Sequence, residues 1–168
     1  MSHTQYEQDI LFRKPKASDG LAVYQLIKRS PPLDLNSSYN YHLLCRHFAE
    51  TCVVAEHAGK VVGFISAYMR PDTDNTLFVW QVAVDSTMRG RGLAKALLSA
   101  LLERPACRDA RYLETTVTPS NAPSMGLFTK FAHEHGYALH ESVFLEAADF
   151  GPQAHEAEML LHIGPLAA

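Results

Sequence analysis

The sequence lacks a basic excess, a long apolar run and any cysteine pattern. Lys and Arg number 15 against 18 Asp and Glu, a formal net charge of −3. No basic stripe is present to support a nucleic-acid partner. The longest apolar runs are far shorter than a membrane span. The first nine residues, Met1-Ser2-His3-Thr4-Gln5-Tyr6-Glu7-Gln8-Asp9, are polar and acidic, unlike a secretory signal. Neither nucleic acid nor membrane is therefore expected as a partner. The three cysteines, Cys45, Cys52 and Cys107, have no C-x-x-C spacing, which argues against a disulfide framework or a zinc site. They sit among apolar or helical neighbours and are expected to be buried thiols, with a reducing cytoplasm as the default compartment. Nine histidines are present, but His133 and His135 flank Glu134 and His42 and His47 are five apart. Neither pair puts two imidazoles on one helix face, so no metal is expected.

What is present suits one globular domain over residues 1–168. The chain is 47% hydrophobic and 20% charged, enough for a single sizeable core. No repeat, low-complexity tract or linker divides it. Ile10 to Arg13 reads as a strand. Ala17 to Gly20 opens a helix that Ser18 or Asp19 can cap, and Leu21, Val23, Tyr24, Leu26 and Ile27 give that helix an apolar face. Pro31-Pro32 ends it. Leu33 to Asn40 has no period and reads as a loop, and Tyr41 to Ala49 as a second helix. Thr51 to Glu56 and Val61 to Met69 form a hairpin about His57-Ala58-Gly59-Lys60. Thr76 to Val84 is the next strand and Leu93 to Leu102 the next helix. A strand over 111–117, a helix from about Asn121 to His135 closed by Gly136, and strands over 137–144 and 157–163 complete the chain. The order β, α, α, β, β, β, α, β, α, β, β predicts an α/β fold with a mixed central sheet flanked by helices.

Between the strand ending at Val84 and the helix beginning at Leu93 lies Arg89-Gly90-Arg91-Gly92-Leu93-Ala94. Strand, glycine turn and helix form an anion cradle: the turn aims backbone N–H groups outward and the helix start adds partial positive charge. Gly90 and Gly92 let a phosphate approach the backbone, and Arg89 and Arg91 add charge-assisted donors. The same string would also serve as a plain glycine turn with surface arginines; the flanking strand and helix favour the cradle. A third glycine for a dinucleotide fingerprint and a Gly-Lys-Ser/Thr for a Walker loop are both missing.

The spacing Arg89-x-x-Gly92-x-Ala94 resembles the pyrophosphate-binding loop of the GCN5-related N-acetyltransferases (GNAT), and the predicted element order matches their fold. Asn121, Leu127, Phe128 and Lys130 echo the N-x-x-A-x-x-L-Y-x-K pattern near the coenzyme A arm. Phe128 departs from it. Many members carry a tyrosine there, whose hydroxyl is often proposed to protonate the leaving thiolate. The resemblance implies acetyl-CoA as co-substrate, held by Val82, Val84, Arg89, Gly90, Arg91, Gly92, Leu93, Ala94 and Asn121. Longer strings narrow it: Asp34-Leu35-Asn36-Ser37-Ser38-Tyr39, Tyr41-His42-Leu43-Leu44-Cys45, Thr51 to Glu56, Trp80 to Asp85, and Thr116-Val117-Thr118-Pro119-Ser120-Asn121. In order and spacing they resemble the L-2,4-diaminobutyrate acetyltransferases of ectoine biosynthesis, over about residues 10 to 163. That resemblance also implies a homodimer.

The reaction so implied is acetyl transfer to the γ-amine of a small-molecule amine substrate. The amine must shed a proton before attacking, since an alkylammonium has a pKa near 10. The oxyanion needs a donor, for which a backbone N–H on the Trp80–Val84 strand is the family-like candidate. Asp34, in the irregular loop, is either a solvated carboxylate or a holder of a substrate ammonium. Tyr39 is either a packed aromatic or a hydroxyl for substrate and catalysis. Trp80, the only tryptophan, is either core or a cation–π wall. Glu156 and Glu158 alternate onto one face; Glu158 would hold an ammonium or relay a proton, with His155 beside it, unless that face is an exposed acidic edge. The partner of the substrate carboxylate stays open among Arg46, Arg70 and the other basic residues. Two alternatives stand: acetylation of another small amine, and acetyl-CoA binding without catalysis, which Phe128 keeps in play.

Overall fold

The computed structural model describes residues 9–167; the polar stretch Met1 to Gln8 lies outside them. The elements are β1 (Ile10–Arg13), α1 (Gly20–Lys28), α2 (Ser38–His47), β2 (Val53–His57), β3 (Lys60–Met69), β4 (Thr76–Val84), α3 (Leu93–Leu102), β5 (Tyr112–Val117), α4 (Ala122–His135), β6 (Ala138–Leu145) and β7 (Glu158–Gly164). The order is the expected one, and β4 and α3 fall on their expected boundaries. The strands form a mixed seven-stranded sheet, β1-β2-β3-β4-β5-β7-β6. β4 pairs in parallel with β5, from Thr76 opposite Tyr112 to Val79 opposite Thr115.

The chain groups into two compact units. One holds residues up to Tyr68 together with Gln81–Cys107; the other holds Met69–Trp80 and the chain from Arg108 onward. The core of the first unit gathers Val23, Leu26 and Ile27 of α1, Tyr41, Leu44 and Cys45 of α2, Cys52 and Val54, Phe64 of β3 and Ala83 of β4. The apolar positions of α1 recur three and four apart, so one stripe turns inward. Gly63 lets α3 settle on β3: a Cβ there would lie 3.0 Å from Leu97 Cδ1 and 3.1 Å from the Ala55 Cβ. In the second unit, Leu77, Val79, Leu113, Val117, Phe128, Phe131, Leu161 and Ile163 are buried. All three cysteines are buried free thiols. Burial pushes Cys45 and Cys52 up to about 12 and Cys107 up to about 11.

Three expectations need correction. Asp19 does not cap α1 with its side chain. Its carboxylate instead takes both Nη atoms of Arg13, at 2.7 and 2.9 Å, and the backbone N–H of Lys16 at 2.6 Å. Arg13 reaches on to Glu56 at 2.7 Å. Burial works against the Asp19 carboxylate, yet these donors hold it below the usual carboxylate range. The second correction is the start of α2, three residues before the expected Tyr41. Ser37 sits at its N-cap and accepts from Asn40 N, a serine cap in a stretch that hydropathy alone reads as loop. Tyr39 is therefore on the first turn of a helix. Third, Glu156 lies before β7 rather than on it, so strand alternation does not apply. It accepts from the backbone N–H of Ser120 at 3.2 Å and from the Ser120 hydroxyl.

Candidate functional site

Within the first unit, β4 runs into the turn Ser86–Met88, where Asp85 accepts from Thr87 N at 3.0 Å and Thr87 Oγ1 at 2.8 Å. Arg29 pairs with the same carboxylate at 3.1 Å. These hydrogen bonds hold Asp85 below the usual carboxylate range. The turn delivers the chain to Arg89, whose Nε donates to Val84 O at 3.3 Å. Gly90 and Gly92 both have a φ of +75°, and beyond the adjoining residues no heavy atom lies within 4 Å of the place a Cβ would occupy at either. Gly92 is the N-cap of α3 and supplies no side-chain cap. The first-turn N–H groups therefore face outward without a side-chain acceptor from the cap residue. An open backbone concavity beside two exposed arginines fits a pyrophosphate. Leu93 is buried and Ala94 half-buried, anchoring the helix end beneath the loop.

Burial alternates along β4. Leu77, Val79, Gln81 and Ala83 are buried, Phe78, Val82 and Val84 half-buried, and Trp80 is 39% exposed. Trp80 is thus not a core residue. Asp34 is exposed in the loop before α2, and Tyr39 is 69% exposed, unlike Tyr41, which is fully buried with its ring against Tyr24.

In the second unit, Asn121 caps α4, accepting from Ser124 N at 3.3 Å. Phe128 of that helix is buried. His155 stacks on Phe150 with ring centroids 3.8 Å apart, and its Nε2 lies 4.0 Å from Glu158 Oε1. At that distance the two side chains are neighbours beyond direct hydrogen-bond range. Arg70 is spoken for: it holds Glu114 at 2.8 Å and Asp72 at 2.5 Å, while His162 Nδ1 meets the other Glu114 oxygen at 2.9 Å.

Sequence reasoning missed Gln81 and Tyr41. Gln81 Oε1 accepts from the Tyr41 hydroxyl at 3.0 Å, and Gln81 Nε2 donates to the Asp34 carbonyl at 2.7 Å. The available signal was a single glutamine within the otherwise apolar run Leu77–Val84.

Comparison with known proteins identifies the family. The acetyltransferase (GNAT) family model matches residues 21–133. The L-2,4-diaminobutyric acid acetyltransferase of Bordetella parapertussis is 51% identical over 91% of this chain and 83% of its own length. That of Streptomyces coelicolor is 47% identical over 98% of both. The structure of diaminobutyrate acetyltransferase EctA from Paenibacillus lautus, in complex with L-2,4-diaminobutyric acid and coenzyme A, superposes with a TM-score of 0.92 at 45% identity, covering 95% of this chain and 97% of that one. Ard1 from Thermoplasma volcanium shares the fold at 20% identity, with a TM-score of 0.75. The chain belongs to the acetyltransferase (GNAT) family and, within it, to the L-2,4-diaminobutyric acid acetyltransferases.

Proposed function

We propose that this protein transfers the acetyl group of acetyl-CoA to the γ-amine of L-2,4-diaminobutyrate, giving N-γ-acetyl-diaminobutyrate and CoA. The observation that carries the proposal is the identity of 47% with a diaminobutyrate enzyme over 98% of the chain. An alignment of that extent takes in both the 34–39 loop and the arginine-glycine loop. Acetyl-CoA supplies the activated acyl carbon. Arg89 to Ala94 hold its pyrophosphate, and Val82, Val84 and Asn121 line its arm, with a β4 backbone N–H as the oxyanion donor.

Diaminobutyrate carries two ammonium groups and one carboxylate, so placing one amine at the thioester is a matter of charge geometry. We assign ammonium binding to Asp34, with Tyr39 on the segment that follows it, and to Glu158, with His155 beside it; Trp80 offers an aromatic face. Trp80's exposed ring suits an ammonium by about 0.5–2 kcal/mol. We assign Glu158 as the acceptor of the amine's proton, directly or through water, and the Tyr39 hydroxyl as a second catalytic group. Phe128 cannot donate a proton, and thiolate leaves without a dedicated acid. Among the described residues no helix is long and apolar enough to cross a membrane. We place the enzyme in the cytoplasm as a homodimeric single-domain catalyst of ectoine biosynthesis, serving osmoprotection. Steady-state kinetics with diaminobutyrate, read beside polyamines and other small amines, test the substrate assignment; a preference for another amine would replace it.

A further inference from the structure

The stretch Asp34–Asn36 is gripped at both ends by two buried side chains from elsewhere in the first unit. Gln81 is 5% exposed and Tyr41 is fully buried. The Gln81 backbone N–H donates to Ser66 Oγ at 3.2 Å, which seats the strand at that point. Its Nε2 donates to the Asp34 carbonyl at 2.7 Å. The Asn36 N–H donates to the Tyr41 hydroxyl at 3.3 Å, and that hydroxyl donates to Gln81 Oε1 at 3.0 Å.

The hydrogen-bond inventory leaves one assignment. The Asp34 carbonyl can only accept, so it takes the Gln81 amide NH2. The Asn36 N–H can only donate, so the phenol oxygen accepts it and turns its own proton to Gln81 Oε1. Each member satisfies the next, and a buried network of this kind is rigid when complete and costly when broken.

We infer that Gln81 and Tyr41 are positioning residues for substrate: together they hold the backbone of the Asp34 loop at the place and angle that amine recognition needs. This rests on the reading of Asp34 as a substrate contact. Neither side chain touches the reacting atoms. Their effect passes through the loop, which is neither helix nor strand over residues 34–37.

The test uses the intact enzyme and four variants: Gln81→Met, Tyr41→Phe, Asp34→Asn and Asp34→Asn/Gln81→Met. Separate KM values for diaminobutyrate and acetyl-CoA, kcat and thermal unfolding are recorded. Gln81→Met and Tyr41→Phe each remove hydrogen bonds at nearly constant volume, so one serves if the other fails to fold. We expect the KM for diaminobutyrate to rise about tenfold in each, with the KM for acetyl-CoA within about twofold. In the Asp34→Asn background Gln81→Met should add less than about twofold, because the two act through one contact. Folded Gln81→Met and Tyr41→Phe enzymes with an unchanged KM for diaminobutyrate overturn the inference, as does a full multiplicative effect in the double variant. An Asp34→Asn enzyme that binds diaminobutyrate normally overturns the reading beneath it, and the inference with it, and is told apart by the single variant alone.

Discussion

The arginine-glycine loop and the Asp34 loop lie in the same compact unit and are built in opposite ways. The first is shaped by its own backbone. Two glycines at φ +75° and an uncapped helix start make the concavity, and the residues responsible are adjacent in sequence. The second is shaped from outside. Its carbonyl at Asp34 and N–H at Asn36 are held by Gln81 and Tyr41, the former 47 residues away from Asp34. A pyrophosphate is a large, symmetric anion that backbone donors recognise well. A small dication with a carboxylate needs side chains at set positions, and these require support from the core.

The largest expected effect attacks the backbone-built loop. Gly92→Asp forces a side chain into a left-handed residue and sets a carboxylate toward the pyrophosphate. The KM for acetyl-CoA should rise on the order of a hundredfold, about 2.7 kcal/mol, with diaminobutyrate affinity little changed. Unaltered acetyl-CoA binding by the folded variant removes the loop from the site. Next comes the side-chain loop. Asp34→Asn should weaken diaminobutyrate use roughly ten- to hundredfold, since a charge-assisted hydrogen bond is worth about 1.5–3 kcal/mol. Acetyl-CoA affinity should stay within twofold; a parallel loss of both would erase the contrast between the loops.

A smaller effect is expected outside both loops. Phe128 is buried on α4, and Phe128→Tyr should change kcat by less than about tenfold. A gain of two orders of magnitude would mean that thiolate departure does need an acid. The smallest effect concerns the turn that feeds the arginine-glycine loop. Asp85→Ala removes the acceptor for Thr87 and should cost about 1 kcal/mol of stability by denaturant titration. The folded-state pKa of Asp85 is depressed, so its contribution is complete above the unfolded value near 4 and fades as pH falls through the lower folded one. The gap between wild type and Asp85→Ala should therefore close in acid; a gap that is constant with pH would assign the effect to packing instead.

How much was legible in the sequence follows the same division. The strand Thr76–Val84 and the helix Leu93–Leu102 are long, strongly apolar and punctuated by glycine, and both were read to the residue. The glycine turn between them is a local property and was read with them. The start of α2 was missed because Ser37 caps a helix whose first turn, Ser38 to Tyr41, has no apolar stripe. Asp19 looked like a helix cap, but Arg13 lies across a turn and outcompetes the helix N–H groups for its carboxylate. Strand alternation was carried back to Glu156, one residue before the expected strand, because a period of two cannot tell where a strand begins. The support of the Asp34 loop depends on a tertiary pairing of Tyr41 with Gln81, which no local pattern encodes.

The central claim is that this chain acetylates one particular nitrogen of one particular diamine. Its most direct test is an amine-panel acetylation assay with acetyl-CoA, the product read by NMR for the position of the new amide. The account predicts that L-2,4-diaminobutyrate has the highest kcat/KM and yields the γ-acetyl product. A higher kcat/KM for a polyamine or an unrelated amine, or acetylation of the α nitrogen, would contradict it.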